Sequence, residues 1–102
     1  MLSHANEAVE LLGVMDREEL GRTRVMQLAL TRLVEIIGEA ANRVTQVTIQ
    51  KYPGIPWHQI IGMRNRLVHG YDIIEYDLLW DTVTNDLPPL IMALKKIVEG
   101  HS

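Results

Sequence analysis

The chain has 102 residues, enough for one domain spanning 1–102, and its formal net charge of −3 gives no overall basic field, so any contact with nucleic acid must be local. It contains no cysteine, which excludes disulfides, thiolate metal sites and cysteine nucleophiles. Apolar residues make up 47% of it, and no apolar run approaches the roughly 20 residues of a spanning helix, so we expect a soluble, cytoplasmic protein without membrane contact.

Two short helical segments are predicted at the start of the chain. The first runs from about Ser3 to Leu12 and stops at Gly13. Asp16 and Glu19 have the spacing of an N-terminal capping pair. We therefore expect a short helical turn after Asp16 that ends at Gly21.

The next segment, from about Arg22 to Val44, is predicted to be an amphipathic helix. Its apolar residues recur at steps of three and four, the spacing of one helical face. A looser continuation through Ile49 should end at residues 52–56, where two prolines and a glycine forbid regular helix. The residues of the predicted buried face are Met26, Leu30, Leu33, Ile37, Ala40, Ala41 and Val44.

A third helix should span about Pro56 to His69, because a proline suits the first turn of a helix and Gly70 is a typical stop. At about 100° per residue, Asn65, Arg66 and His69 share its polar face, with Asn65 and His69 one turn apart. An amide, a guanidinium and an imidazole there could converge on one anion.

Arg64 lies roughly 140° around the same ideal helix from His69, among apolar side chains. Its charge needs a partner there, and an ion pair with Glu35 or Glu39 is one explanation. His69 by itself would be explained as a cationic cap of the helix end.

The fourth predicted helix runs from about Tyr76 to Val98. Pro88 and Pro89 fall inside it, so we expect a kink or break near Thr84 to Leu87. Four helices with single apolar stripes predict an all-α fold, an antiparallel up-and-down bundle. The apolar repeat consists of Tyr76, Trp80, Val83, Leu87, Leu90, Leu94 and Ile97 or Val98.

Arg64, four further residues and His69 resemble the Arg-x4-His motif of HEPN domains, and Asn65 follows the arginine as in many members. His69-Gly70-Tyr71 resembles the His-x-Tyr ending of the HepT toxins of HEPN/MNT toxin–antitoxin pairs. The resemblance covers about Met26 to Val98. It includes Glu35–Ala41, Ile55-Pro56-Trp57 and the stretch from Leu79-Trp80 to Pro88-Pro89, whereas the first helix looks short for the family.

This resemblance implies a metal-independent endoribonuclease toxin without a cofactor, whose active site forms between the protomers of a homodimer. The residues suit that chemistry, because the ribose 2′-OH can attack the neighbouring phosphate. His69 would carry the proton, and Arg64 would stabilise the charge on phosphorus. Asn65 would orient the phosphate or the imidazole, and Arg66 would hold the RNA backbone.

The resemblance also implies a partner. Tyr71 would accept AMP from a cognate minimal nucleotidyltransferase, the antitoxin, and the modification would block the cleft; otherwise Tyr71 is a packing residue. The alternative function is a non-catalytic helical adaptor that binds such a nucleotidyltransferase. A purely structural bundle would leave Arg64 and its neighbours unexplained. Trp57 and Trp80 are predicted to be core anchors.

Overall fold

A computed structural model describes residues 1–69 and 73–100, and for residues 63–69, 73–74 and 100 it describes the backbone without the side chains. The described secondary structure is helical apart from one pair of two-residue strands, which confirms the all-helical class. None of their helices combines the length and hydropathy that crossing a bilayer requires. In chain order the elements are α1 (Leu2–Leu12), α2 (Arg17–Arg22), α3 (Arg24–Asn42), α4 (Gln46–Lys51), α5 (Trp57–Leu67), β1 (Val68–His69), β2 (Ile73–Ile74), α6 (Tyr76–Asp81), a π-helical turn (Thr82–Asp86) and α7 (Leu87–Gly100).

The start of the chain follows the sequence prediction closely. α1 ends before Gly13, whose φ of 55° is a left-handed conformation that glycine adopts without strain. The predicted capping pair is present: Asp16 Oδ1 accepts the backbone N–H of Glu19 at 2.8 Å, and Glu19 Oε1 accepts that of Asp16 at 3.4 Å. Because this capping box satisfies two N–H groups of the first turn, α2 forms although it is short.

α3 is the long amphipathic helix, but it does not continue through Ile49. The chain leaves the helix after Asn42, and α4 begins anew behind Thr45, whose hydroxyl accepts the backbone N–H of Thr48 at 3.3 Å. This local cap explains the break, since a threonine in extended conformation starts a new helix. The expected continuation was therefore wrong, although its residues are helical.

The expected break near the two prolines is confirmed. Residues Thr82–Asp86 form a π-helical turn, in which the backbone N–H of Leu87 donates to the Thr82 carbonyl. Pro88 and Pro89 have no N–H, and their rings would clash with carbonyls one turn earlier in a regular helix. The wider turn accommodates them, and α7 continues behind it.

The core lies between α3 and the helices around it. α3 packs against α1 and α5, and α1 packs against α7. Of the side chains predicted to face inward, Tyr76 is exposed, and of the two alternatives Ile97 and Val98 it is Ile97 that packs against the core; Leu79 and Ile91 are buried as well. The four-helix up-and-down arrangement and the homodimer stay predictions. The largest fully buried side chains are Leu20, Leu30, Ile37, Ile60, Leu79, Leu87, Val34 and Val83.

Candidate functional site

The predicted catalytic segment lies where α5 passes into the strand pair. Arg64, Asn65 and Arg66 belong to the last turn of α5, and His69 is the second residue of β1, paired with Ile73 of β2. Their side chains lie outside the described residues. Tyr71 lies outside them entirely, and so does its predicted modification. The backbone thus places the arginine and the histidine of the motif on two different elements.

The predicted helical geometry of this segment was wrong at its end. α5 stops at Leu67, so His69 is not one helical turn from Asn65, and Gly70 is not the helix stop. Val68 and His69 instead pair with Ile74 and Ile73 in antiparallel register. β-Branched residues favour extended backbone, and three of these four paired residues are β-branched. The angle of roughly 140° between Arg64 and His69 assumed a continuous helix and does not apply.

α3 supports α5 at close range. A Cβ atom on Gly38 would come within 3.2 Å of the Ile60 carbonyl oxygen and 3.7 Å of that of Ile61, so the glycine lets the two helices approach. Arg64 lies four residues beyond Ile60, which is about 6 Å along the helix axis. The last turn of α5 therefore begins about one turn beyond this close approach to α3.

The two carboxylates proposed as partners of Arg64, those of Glu35 and Glu39, both lie within ion-pair distance of Arg32. Arg32 Nη1 lies 3.5 Å from Glu35 Oε2 and 3.6 Å from Glu39 Oε1. Gly38 is their neighbour on α3, so both carboxylates stand near the crossing with α5. The ion pair with Arg64 stays a prediction.

Other arginines near the start of the chain are engaged by acids. Arg17 Nε lies 2.8 Å from Asp77 Oδ1 and ties α2 to α6, and Arg22 Nη1 lies 3.9 Å from Glu18 Oε2. Both pairs are exposed, so each contributes little to stability. The paired carboxylates partly neutralise the charges of Arg17 and Arg22, so these two arginines attract RNA phosphates less strongly.

Trp57 is the core anchor that the sequence predicts, since only 7% of it is exposed. Its indole Nε1 donates to the Tyr52 carbonyl at 3.0 Å and fixes the turn that precedes α5. Trp80 is partly buried against the same core. Both tryptophans therefore contribute to the core.

Sequence reasoning missed what surrounds this turn. It interpreted residues 52–56 as a helix breaker, the start of the next helix and part of the family resemblance, but not as a binding surface, yet two depressions of about 440 and 320 Å³ lie on either side of this turn and share Pro53 and Ile55. Two prolines beside tyrosine and tryptophan were the available signal, because such residues build rigid surfaces.

Among the side chains that the structure describes, no three His, Asp or Glu residues lie close enough to hold a metal ion.

Residues 1–97 match the model of a family described as Ribonuclease HepT-like. The chain is 36% identical over 99 residues to a protein of Methanocaldococcus jannaschii named as a candidate RNase, with 97% of this chain and 87% of the relative covered. It is 34% identical over 95 residues to a protein of Thermococcus cleftensis named as a candidate ribonuclease HepT, with 89% of this chain and 86% of the relative covered. No solved structure matches the chain.

Proposed function

Because this chain belongs to the HepT-like ribonuclease family, we propose that it is a metal-independent endoribonuclease whose catalytic residues are Arg64, Asn65 and His69. The observation that carries the proposal is the Arg-x4-His segment in a chain that matches a ribonuclease family over residues 1–97. Histidine and arginine side chains suit this chemistry, because RNA supplies its own nucleophile.

The proposed reaction begins when His69 removes the proton of a ribose 2′-OH. The 2′-oxygen forms a bond to the adjacent phosphorus, and the bond from phosphorus to the 5′-oxygen breaks. A general acid protonates the departing 5′-oxygen, which leaves a 2′,3′-cyclic phosphate and a 5′-OH. Arg64 stabilises the crowded phosphorane through its fork of N–H donors, Asn65 orients the phosphate, and Arg66 binds the RNA backbone.

A homodimer completes this scheme. One protomer offers one His69, whereas the reaction needs both a base and an acid, so two copies in a shared cleft fill both roles. Mixing wild type with an excess of folded His69→Ala protein tests this directly. If two copies of His69 are needed, each heterodimer holds only one and the activity falls as subunits exchange, whereas self-contained sites keep the activity of the wild-type protein.

We further propose that a minimal nucleotidyltransferase controls the enzyme by transferring AMP from ATP to the Tyr71 hydroxyl, with release of pyrophosphate. A bulky anionic group two residues from His69 would repel RNA phosphates. Incubation with the cognate nucleotidyltransferase and ATP should add the mass of AMP to wild type and not to Tyr71→Phe. Equal labelling of both proteins would contradict this assignment.

The decisive experiment for the proposed activity is cleavage of end-labelled RNA in excess chelator by wild type and His69→Gln, with His4→Gln as the matched histidine control. We expect cyclic-phosphate products from wild type and from the control only. Cleavage by His69→Gln at the wild-type rate would exclude this residue as the catalyst. No cleavage by any of them, in samples whose intact mass excludes AMP, would contradict the ribonuclease and favour the adaptor.

A further inference from the structure

The turn before α5 is held rigidly. The Tyr52 carbonyl accepts two hydrogen bonds, from the Ile55 backbone N–H at 3.2 Å and from Trp57 Nε1 at 3.0 Å, and the Trp57 backbone N–H donates to the Ile55 carbonyl at 2.8 Å. Pro53 and Pro56 fix two backbone φ angles in the same stretch. A surface fixed in this way loses little conformational entropy when a ligand binds to it.

One side of the turn forms a depression of about 440 Å³, which we call the base groove. Ile49, Ile55 and Trp57 supply apolar lining, while Gln50, His58 and Gln59 supply polar groups. Two carboxamides and an imidazole can both donate and accept hydrogen bonds, which matches the mixed donors and acceptors of a nucleobase edge. The apolar part accepts a flat ring.

The other side forms a depression of about 320 Å³, which we call the lysine groove. Its lining includes Lys51 at the end of α4, Tyr52 at the start of the turn and Lys96 of α7. The Nζ atom of Lys51 lies 5.5 Å from the centre of the Tyr52 ring, so the cation is held near the groove. The two grooves meet at Pro53 and Ile55.

The charge of the lysine groove is not neutralised by a described ion pair. Arg17, Arg22 and Arg32 pair with carboxylates, whereas none of the ion pairs between described side chains includes Lys51 or Lys96. In a chain with a formal net charge of −3, two such lysines on one groove form a local anion-binding surface.

We propose that these two grooves bind single-stranded RNA beyond the cleavage site, with an unpaired base in the base groove and a phosphate between Lys51 and Lys96. This inference rests on the proposed ribonuclease function and adds a substrate-recognition surface to it. The combination favours RNA over an acidic peptide, because each nucleotide carries a hydrogen-bonding ring that suits the base groove and a phosphate that suits the lysine groove.

The distance from the catalytic segment sets the length of RNA required. The turn precedes the first residue of α5, and Leu67 ends that helix ten residues later, which corresponds to about 15 Å. Stacked nucleotides are spaced by about 3.4 Å, so four or five of them span the gap. A dinucleotide at the catalytic segment is too short to reach the grooves.

The test compares a Lys51→Gln/Lys96→Gln protein with Lys95→Gln, which removes a neighbouring exposed charge outside the described groove lining. Binding of a single-stranded RNA of about twelve nucleotides is measured in the His69→Ala background, where it is not cleaved. We expect the double variant to lose about tenfold in affinity, and its salt slope to fall by about 0.7, since one phosphate contact on a single strand contributes about that much. Unchanged binding, or an equal loss in Lys95→Gln, would overturn the proposal.

Two further readouts separate this inference from the proposed function. In the active protein, the double variant should raise KM for the long RNA and leave cleavage of a dinucleotide unchanged. The indole N–H resonance of Trp57 should shift on addition of RNA, while that of Trp80 stays in place as an internal control. If cleavage depends on His69 but the Trp57 resonance does not move, the proposed RNA-binding grooves are contradicted and the ribonuclease function is not. If RNA binds through the grooves but no cleavage occurs, the ribonuclease function is contradicted and the grooves are not.

Discussion

Gly38 of α3 lies so close to Ile60 of α5 that a side chain at the glycine would come within 3.2 Å of the Ile60 carbonyl oxygen. The neighbour is backbone, so it can move only if the two helices separate. This contact lies one turn before Arg64 and sets the spacing of α5 from the core. Glycine is thus required for packing at a position where helix propensity disfavours it.

Gly38→Ala should therefore lower the free energy of unfolding by about 1 kcal/mol, because overpacking outweighs the gain in helix propensity. Gly62→Ala is the matched control. Gly62 lies inside α5, and a Cβ atom there would meet none of the described atoms within 4 Å, so the propensity gain of up to about 1 kcal/mol should remain. Urea unfolding of both proteins measures the difference, and equal shifts would contradict the steric explanation.

Thr31→Val should stabilise the protein by about 1 kcal/mol. The Thr31 hydroxyl is buried and has no hydrogen-bond partner among the described residues, and valine has the same shape without the polar group. Thr84→Val provides the contrast, because the Thr84 hydroxyl donates to the Trp80 carbonyl at 2.7 Å and its loss should destabilise. Thermal unfolding should move the two midpoints in opposite directions; a lower midpoint for Thr31→Val would show that its hydroxyl is satisfied.

Asp16→Ala should lower stability by about 1 kcal/mol, since it removes the acceptor for the Glu19 backbone N–H. Asp16→Asn keeps an acceptor oxygen at the same place and should lose only a few tenths of a kcal/mol. The comparison is made by denaturant unfolding at one pH. A loss of the same size in both variants would assign the effect to the charge of Asp16 rather than to the cap.

Arg64→Lys should lower kcat/KM for RNA on the order of 100-fold, because lysine keeps the charge but not the planar donor fork that the proposed phosphorane contact uses. Arg24→Lys, at an exposed position at the start of α3, is the control and should cleave at the wild-type rate. Circular dichroism checks that both variants fold. If Arg64→Lys cleaves RNA at the wild-type rate, the planar donor fork of the arginine is not needed for catalysis.

Several elements could be predicted from local sequence alone. The cap at Asp16, the stop at Gly13 and the break before Pro88 each depend on groups within one or two helical turns. The candidate site was located by the Arg64 to His69 spacing, and the match to a ribonuclease family over residues 1–97 agrees with the resemblance that it suggested. The roles of those residues stay proposals.

The end of α5 could not be predicted in this way. The apolar spacing continues past Leu67, and Gly70 is an ordinary helix stop, so a local interpretation extends the helix to His69. The chain instead pairs Val68 and His69 with Ile74 and Ile73. Such pairing depends on residues beyond a chain reversal, which helical periodicity does not detect.

By itself, then, the sequence determined the helical class, the breaks at glycine, proline and capping residues, and the family, because these follow from short-range conformational preferences and residue identity. Only the tertiary structure decided how closely Gly38 meets Ile60, and that the turn after Tyr52 has a groove on each side. The base groove forms within residues 49–59, whereas the Gly38–Ile60 contact and the lysine groove arise where elements distant in sequence pack together. Their geometry depends on the shape of both partners, and one segment's pattern cannot specify it.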